Sequence, residues 1–134
     1  MSPIRRLMPI LVVSLGVQGC APTAASGPVV MRSGQTVFLQ NAYWVQTPGP
    51  CTSLLKSVTG VDVIAGDKYV TLSLKPQIVR TWQCGNEVEG AVVLATAKRV
   101  QREITVHLRY IVHYATESGP MTSEGARDVD IVPR

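Results

Sequence analysis

Two histidines, three cysteines and a few carboxylates are the residues with which this chain could do chemistry, and their spacing narrows the choices. His107 and His113 lie six positions apart in an alternating, strand-like run. That separates them by roughly 20 Å in extended chain. Zinc ligands each sit at about 2 Å from the metal, so these two cannot share one. No CxxC pair and no cysteine–histidine cluster is present, which excludes the common zinc and dithiol motifs. Glu87 and Glu89 are close enough to suggest paired-carboxylate hydrolysis, but beside the Gly85-Asn86 turn they read as surface charge. No serine occupies a G-x-S-x-G elbow, and no glycine-rich phosphate loop or dinucleotide fingerprint occurs. The sequence therefore assigns no catalytic residue, no metal and no cofactor, and points away from an enzyme.

What remains are binding candidates. Arg109 lies between the two histidines and shares their strand face, so His107, Arg109 and His113 form either a solvated sheet face or a polar binding face. Trp44, just before Pro48-Gly49-Pro50, could stand out as a binding anchor. Trp82 precedes Cys84 by two positions, and an indole beside a disulfide is expected in a core. Lys98, Arg99, Arg102 and Arg109 are the densest basic group, either solvated surface or a contact for an acidic partner or for lipid headgroup phosphates.

The N-terminus is more explicit. Arg5 and Arg6 precede an uncharged apolar run, Leu7 to Val17. About eleven residues span roughly 16 Å as a helix, too little for a hydrocarbon core of about 30 Å. Length and flanks fit the apolar region of a secretion signal. Val17-Gln18-Gly19-Cys20 then resembles a bacterial lipobox: aliphatic at minus three, small at minus one, then cysteine. The resemblance implies cleavage before Cys20 and lipidation of Cys20, which would hold the mature chain at a membrane. Ala21, rather than Asp, implies the outer membrane more than the inner one under the sorting rule of enteric bacteria.

Lipidation consumes Cys20 and leaves Cys51 and Cys84 as a pair. Export would place them in an oxidising compartment, where a disulfide persists. Losing residues 1–19 also removes Arg5 and Arg6, so the mature charge falls from the whole-chain +4 to about +2. That is too little to argue for nucleic acid. Residues 20–33 read as a lipidated tether, its flexible part Ala21–Pro28, and residues 34–134 as a single domain.

The domain reads as mainly β, a small disulfide-stapled sandwich or barrel of five to eight strands. The clearest element is Glu103–Thr116, where Ile104, Val106, Leu108, Tyr110, Val112 and Tyr114 fall on one face. Tyr69–Leu74 alternates similarly. Pro76 calls for an edge strand or a break. Gln35–Gln46 holds one strand, or two with a kink near Asn41. Cys51–Val58 could be helix or irregular chain. Residues 87–100 read as a strand pairing with 103–116 in a hairpin about Gln101-Arg102; the rival is a helix capped by Asn86 with Glu89 in the capping box. Glu117–Ala126 reads as a polar loop, and Val129–Val132 as a short edge strand.

The functional expectation is a membrane-tethered, non-enzymatic interaction or structural domain, an accessory of a cell-envelope assembly with an envelope protein as partner. The alternative is an inhibitor of an envelope-directed hydrolase such as a lysozyme or protease. A protruding loop would favour the inhibitor, and an open sheet edge or flat apolar patch the assembly role.

Overall fold

The computed structural model describes residues 27–46, 49 and 51–134. The signal segment, Cys20 and Pro48 lie outside the described residues. Seven strands follow one another: β1 (Val29–Arg32), β2 (Thr36–Ala42), β3 (Leu55–Ala65), β4 (Val70–Arg80), β5 (Glu87–Ala97), β6 (Ile104–Thr116) and β7 (Gly119–Val132). They form a two-sheet sandwich, one sheet in the order β1-β7-β6-β3 and the other β2-β5-β4. All pairings are antiparallel except β1 with β7. The small disulfide-stapled β-sandwich is thus the observed fold, with Cys51 bonded to Cys84.

β6 is organised as its alternation requires. Val106, Leu108, Tyr110, Val112 and Tyr114 are buried between the sheets, while Thr105, His107 and Arg109 are exposed. Its partner β7 replaces the expected polar loop and edge strand. The reason lies in its inward row, Met121, Ser123, Gly125, Arg127, Val129 and Ile131, which is only half apolar. The two tyrosines of β6 fill the space instead. Tyr110 lies over Gly125, where even a Cβ would fall 2.2 Å from the ring. The Tyr114 hydroxyl is 2.9 Å from Ser123 Oγ. A strand whose core is supplied by its neighbour carries little hydrophobic signal of its own.

β5 corrects the expected hairpin. It pairs with β2 and β4, not with β6, and residues 98–103 carry the chain from one sheet to the other. The central strand is buried on both faces. Ala91, Val93, Ala95 and Ala97 face the intersheet core, while Val88 and Val92 pack with Tyr43, Val45 and Val79 on the outside. Two buried faces produce a nearly continuous apolar run, which period alone cannot separate from a helix.

Three further expectations change. β1 lies inside the expected tether 20–33, so the folded unit begins by Val29 rather than at residue 34. Cys51–Val58 is not helical: Ser53 bridges to Val45, and β3 begins at Leu55. β4 runs unbroken through Pro76 because it is an edge strand, as the proline required. A turn at 67–69, entered from Gly66, moves the chain between sheets. Gly66 has φ +101°, and a Cβ there would lie 2.9 Å from Val106.

Candidate interaction site

Exposure and rigidity converge at the end of the sandwich where β4 stops and the segment after β2 folds back. Between β4 and β5, residues 81–86 form a compact turn fixed from several sides. Thr81 N–H donates to Asn86 O at 2.8 Å, and Gly85 N–H to Thr81 O at 2.8 Å. The Thr81 hydroxyl donates to Asn86 Oδ1, and Arg80 Nη1 donates to Gly85 O. The Tyr43 hydroxyl accepts from Trp82 N–H at 3.2 Å and donates to Gln83 Oε1 at 2.6 Å. Cys84 is bonded to the buried Cys51 with 6.4 Å between Cα atoms, and Asn86 Nδ2 donates to Cys51 O at 3.3 Å. Cys51 itself adopts φ 56°, a left-handed conformation that costs a non-glycine residue about 1–2 kcal/mol. The staple and the Asn86 bond hold it there.

This network positions one large side chain in water. Trp82 is 71% exposed. The expectation that it packs in the core beside the disulfide is overturned: the strand ends at Arg80, so Trp82 and Cys84 do not share a strand face. An indole whose backbone is already fixed can enter a partner without the backbone-ordering cost of about 1–2 kcal/mol per residue that a flexible loop would carry.

Trp44 does the reverse. It packs against the intersheet core, its ring 5.1 Å from that of Tyr114 at an interplanar angle of 58°. Trp44 is therefore not an exposed anchor, and it shares no face with the histidines, because Tyr114 points inward from β6 and His113 outward. Burial pushes the Tyr114 phenol up to about 12, against a smaller opposing effect of its bond to Ser123. Tyr110, whose hydroxyl donates to Gln40 Oε1, is also raised to about 12 by burial, with Arg127 opposing. Both phenols are neutral at physiological pH.

His107, Arg109 and His113 do share the outer face of the β3-β6-β7 layer, as expected. Each is paired across a strand: His107 with Asp128 at 2.8 Å, Arg109 with Glu124 at 3.4 Å, and His113 with Asp62 at 2.8 Å. Thr105 adds a bond to Asp130 at 2.8 Å. Across the strands, the polar groups of this face satisfy one another's hydrogen bonds. Glu87 likewise pairs with Arg80, at 3.4 Å. No group of three or more His, Cys, Asp or Glu residues that could hold a metal occurs among the described residues.

No protein-family model matches the chain. No curated protein matches it. Among solved structures, it is similar to AggA, the major subunit of aggregative adherence fimbriae type I from Escherichia coli. The identity is 11% and the TM-score 0.32, over 92% of this chain and all of that one. A likeness at that level carries no argument about fold or function.

Proposed function

We propose that this chain is a lipid-anchored, non-enzymatic interaction domain of the bacterial cell envelope, an accessory of an envelope assembly held at the membrane, the outer one in preference, through Cys20. The observation that carries the interaction reading is Trp82, a largely exposed indole on a turn fixed by a disulfide and a hydrogen-bond network. Protein-binding hot spots are enriched in tryptophan and gain from such pre-organisation. What this site offers is apolar area and an indole N–H donor, not a nucleophile held beside a base. The anchor rests on the sequence Val17-Gln18-Gly19-Cys20 after its charged and apolar run.

A photo-reactive phenylalanine at position 82 of the full-length chain, activated in intact cells, tests the interaction. The expected result is one discrete protein adduct, absent when the same probe replaces Phe38, which is also exposed. Equal adducts at both positions, or none at 82, would overturn it. An adducted hydrolase whose activity the domain suppresses would select the inhibitor role. The anchor is tested separately: labelled fatty acid should enter the wild type and not Cys20→Ser.

A further inference from the structure

The side of the sandwich formed by β3 and β4 carries a second surface, remote in kind from the Trp82 turn. These two strands are the free edges of their sheets there. Neither is suited to adding a strand. β4 has Lys75 and Pro76 at its middle, and a proline has no N–H to donate. The β3 register shifts three times, at Leu55/Ser57, Val58/Gly60 and Val63/Ala65. Proline, lysine and bulges are the devices that blunt edges against pairing. Association on this side must therefore run through side chains.

The side chains provide a hole and a knob next to each other. A groove of about 170 Å³ opens between the sheets, floored by Leu55, Val58, Leu74, Pro76 and Ala91. Beside it, a shallower hollow shares Pro76, Glu89 and Gly90 and includes Ile78. Ile78 follows Leu74 and Pro76 at period two, so it points to the same side, and it is 55% exposed. Gly90 keeps the strand close to its neighbour, since a Cβ there would lie 2.4 Å from Ala42 O.

Two charges of opposite sign line the mouth, Lys56 from β3 and Glu89 from β5. Arg80, His107, Arg109 and His113 each pair with a carboxylate, whereas Lys56 and Glu89 have no ion pair among the described residues. A patch holding a knob, a hole, a cation and an anion is complementary to itself under a two-fold rotation. We propose that two copies of this chain associate through the β3/β4 side: Ile78 of each copy seats in the other's groove, and Lys56 of each meets Glu89 of the other. The proposal is independent of the partner reading at Trp82.

The full-length chain, exported and purified in mild detergent, should sediment at a density that masks the detergent as a species of twice the chain mass. Lys56→Glu alone and Glu89→Lys alone should each weaken association at least tenfold, because each creates two like-charged contacts. Mixing the two variants should restore the dimer, since every contact across the mixed pair is then opposite in charge. Both substitutions are at exposed positions, and Ile78→Ser, also exposed, gives a second route to the monomer. Trp82→Ala should leave the mass unchanged. A monomeric wild type, single variants as dimeric as the wild type, or a mixture that stays monomeric would overturn the proposal.

Discussion

The two tryptophans sit on the two segments that the Cys51–Cys84 bond joins, and they have opposite fates. Trp44, after β2, turns inward onto Tyr114 and closes the end of the core. Trp82, after β4, keeps its backbone as firmly held but leaves its ring in solvent. The difference lies in the direction that the preceding strand imposes. Trp44 follows the bulge at Phe38/Gln40 and the end of β2 at Ala42, and its segment folds back through the bridge between Val45 and Ser53. Trp82 follows a strand that stops and a turn that reverses the chain on itself. Firm anchoring of a segment and burial of its large side chain are separate properties, and only one of these segments needs the second.

The largest break in this comparison is removal of the staple. Cys51→Ala with Cys84→Ala frees a loop of 33 residues, worth about 3–4 kcal/mol in the chain-entropy model. Chemical denaturation should show that loss. Acrylamide quenching should change little for Trp82, already exposed, and rise for Trp44 as its segment loosens. Unchanged stability would mean that the hydrogen bonds alone fix both segments.

Trp44→Ala comes next. It removes a half-buried ring from the core end and should cost about 2–3 kcal/mol, below the 3–5 kcal/mol of a fully buried aromatic. An effect under about 0.5 kcal/mol would show that the contact with Tyr114 adds little.

Alkaline titration sharpens the inward side. Tyr110 and Tyr114 hold their protons to about pH 12 in the fold, against an ordinary value of 10.0. Folding therefore binds protons more tightly at these sites. Their contribution is fully present below pH 10 and is lost as pH rises from 10 through 12. Tyr114→Phe should flatten part of that loss, read from thermal midpoints across this window. A midpoint independent of pH there would contradict the burial of both phenols.

Trp82→Ala should have the smallest effect on stability, under about 0.5 kcal/mol, with the whole consequence appearing in partner binding. A stability loss as large as that of Trp44→Ala would mean that the ring packs on the fold and is not held out for another molecule.

Much of the architecture is legible in the sequence where a strand has one wet and one dry face. β6 and the first half of β4 announce themselves by period two, and Pro76 marks the edge that β4 proves to be. The strands that escape are those whose pattern is set by neighbours. β5 is dry on both faces and loses its alternation; β7 is polar inside because Tyr110 and Tyr114 occupy its share of the core. The cysteine pairing was legible from the count once Cys20 was set aside as part of the lipobox-like Val17-Gln18-Gly19-Cys20. The tryptophan roles were not, because burial at a sandwich end depends on which way a loop bends after its strand. Gly85-Asn86 signalled a turn, but nothing local showed that it starts at Thr81 and lifts the indole out.

The parallel strand β1 has a mechanical consequence. Any pull on the chain before Gly27 enters the fold through four residues laid alongside β7 from Val129 to Val132. Tension along that direction loads their hydrogen bonds together, in shear, rather than opening them one by one. Arg127 adds a crosspiece at the point of loading: its Nε donates to Gly27 O at 3.0 Å and its Nη1 to Leu39 O at 3.2 Å. One guanidinium thereby ties the first described residue to both sheets, so force from that side is shared across the sandwich before β1 can peel away.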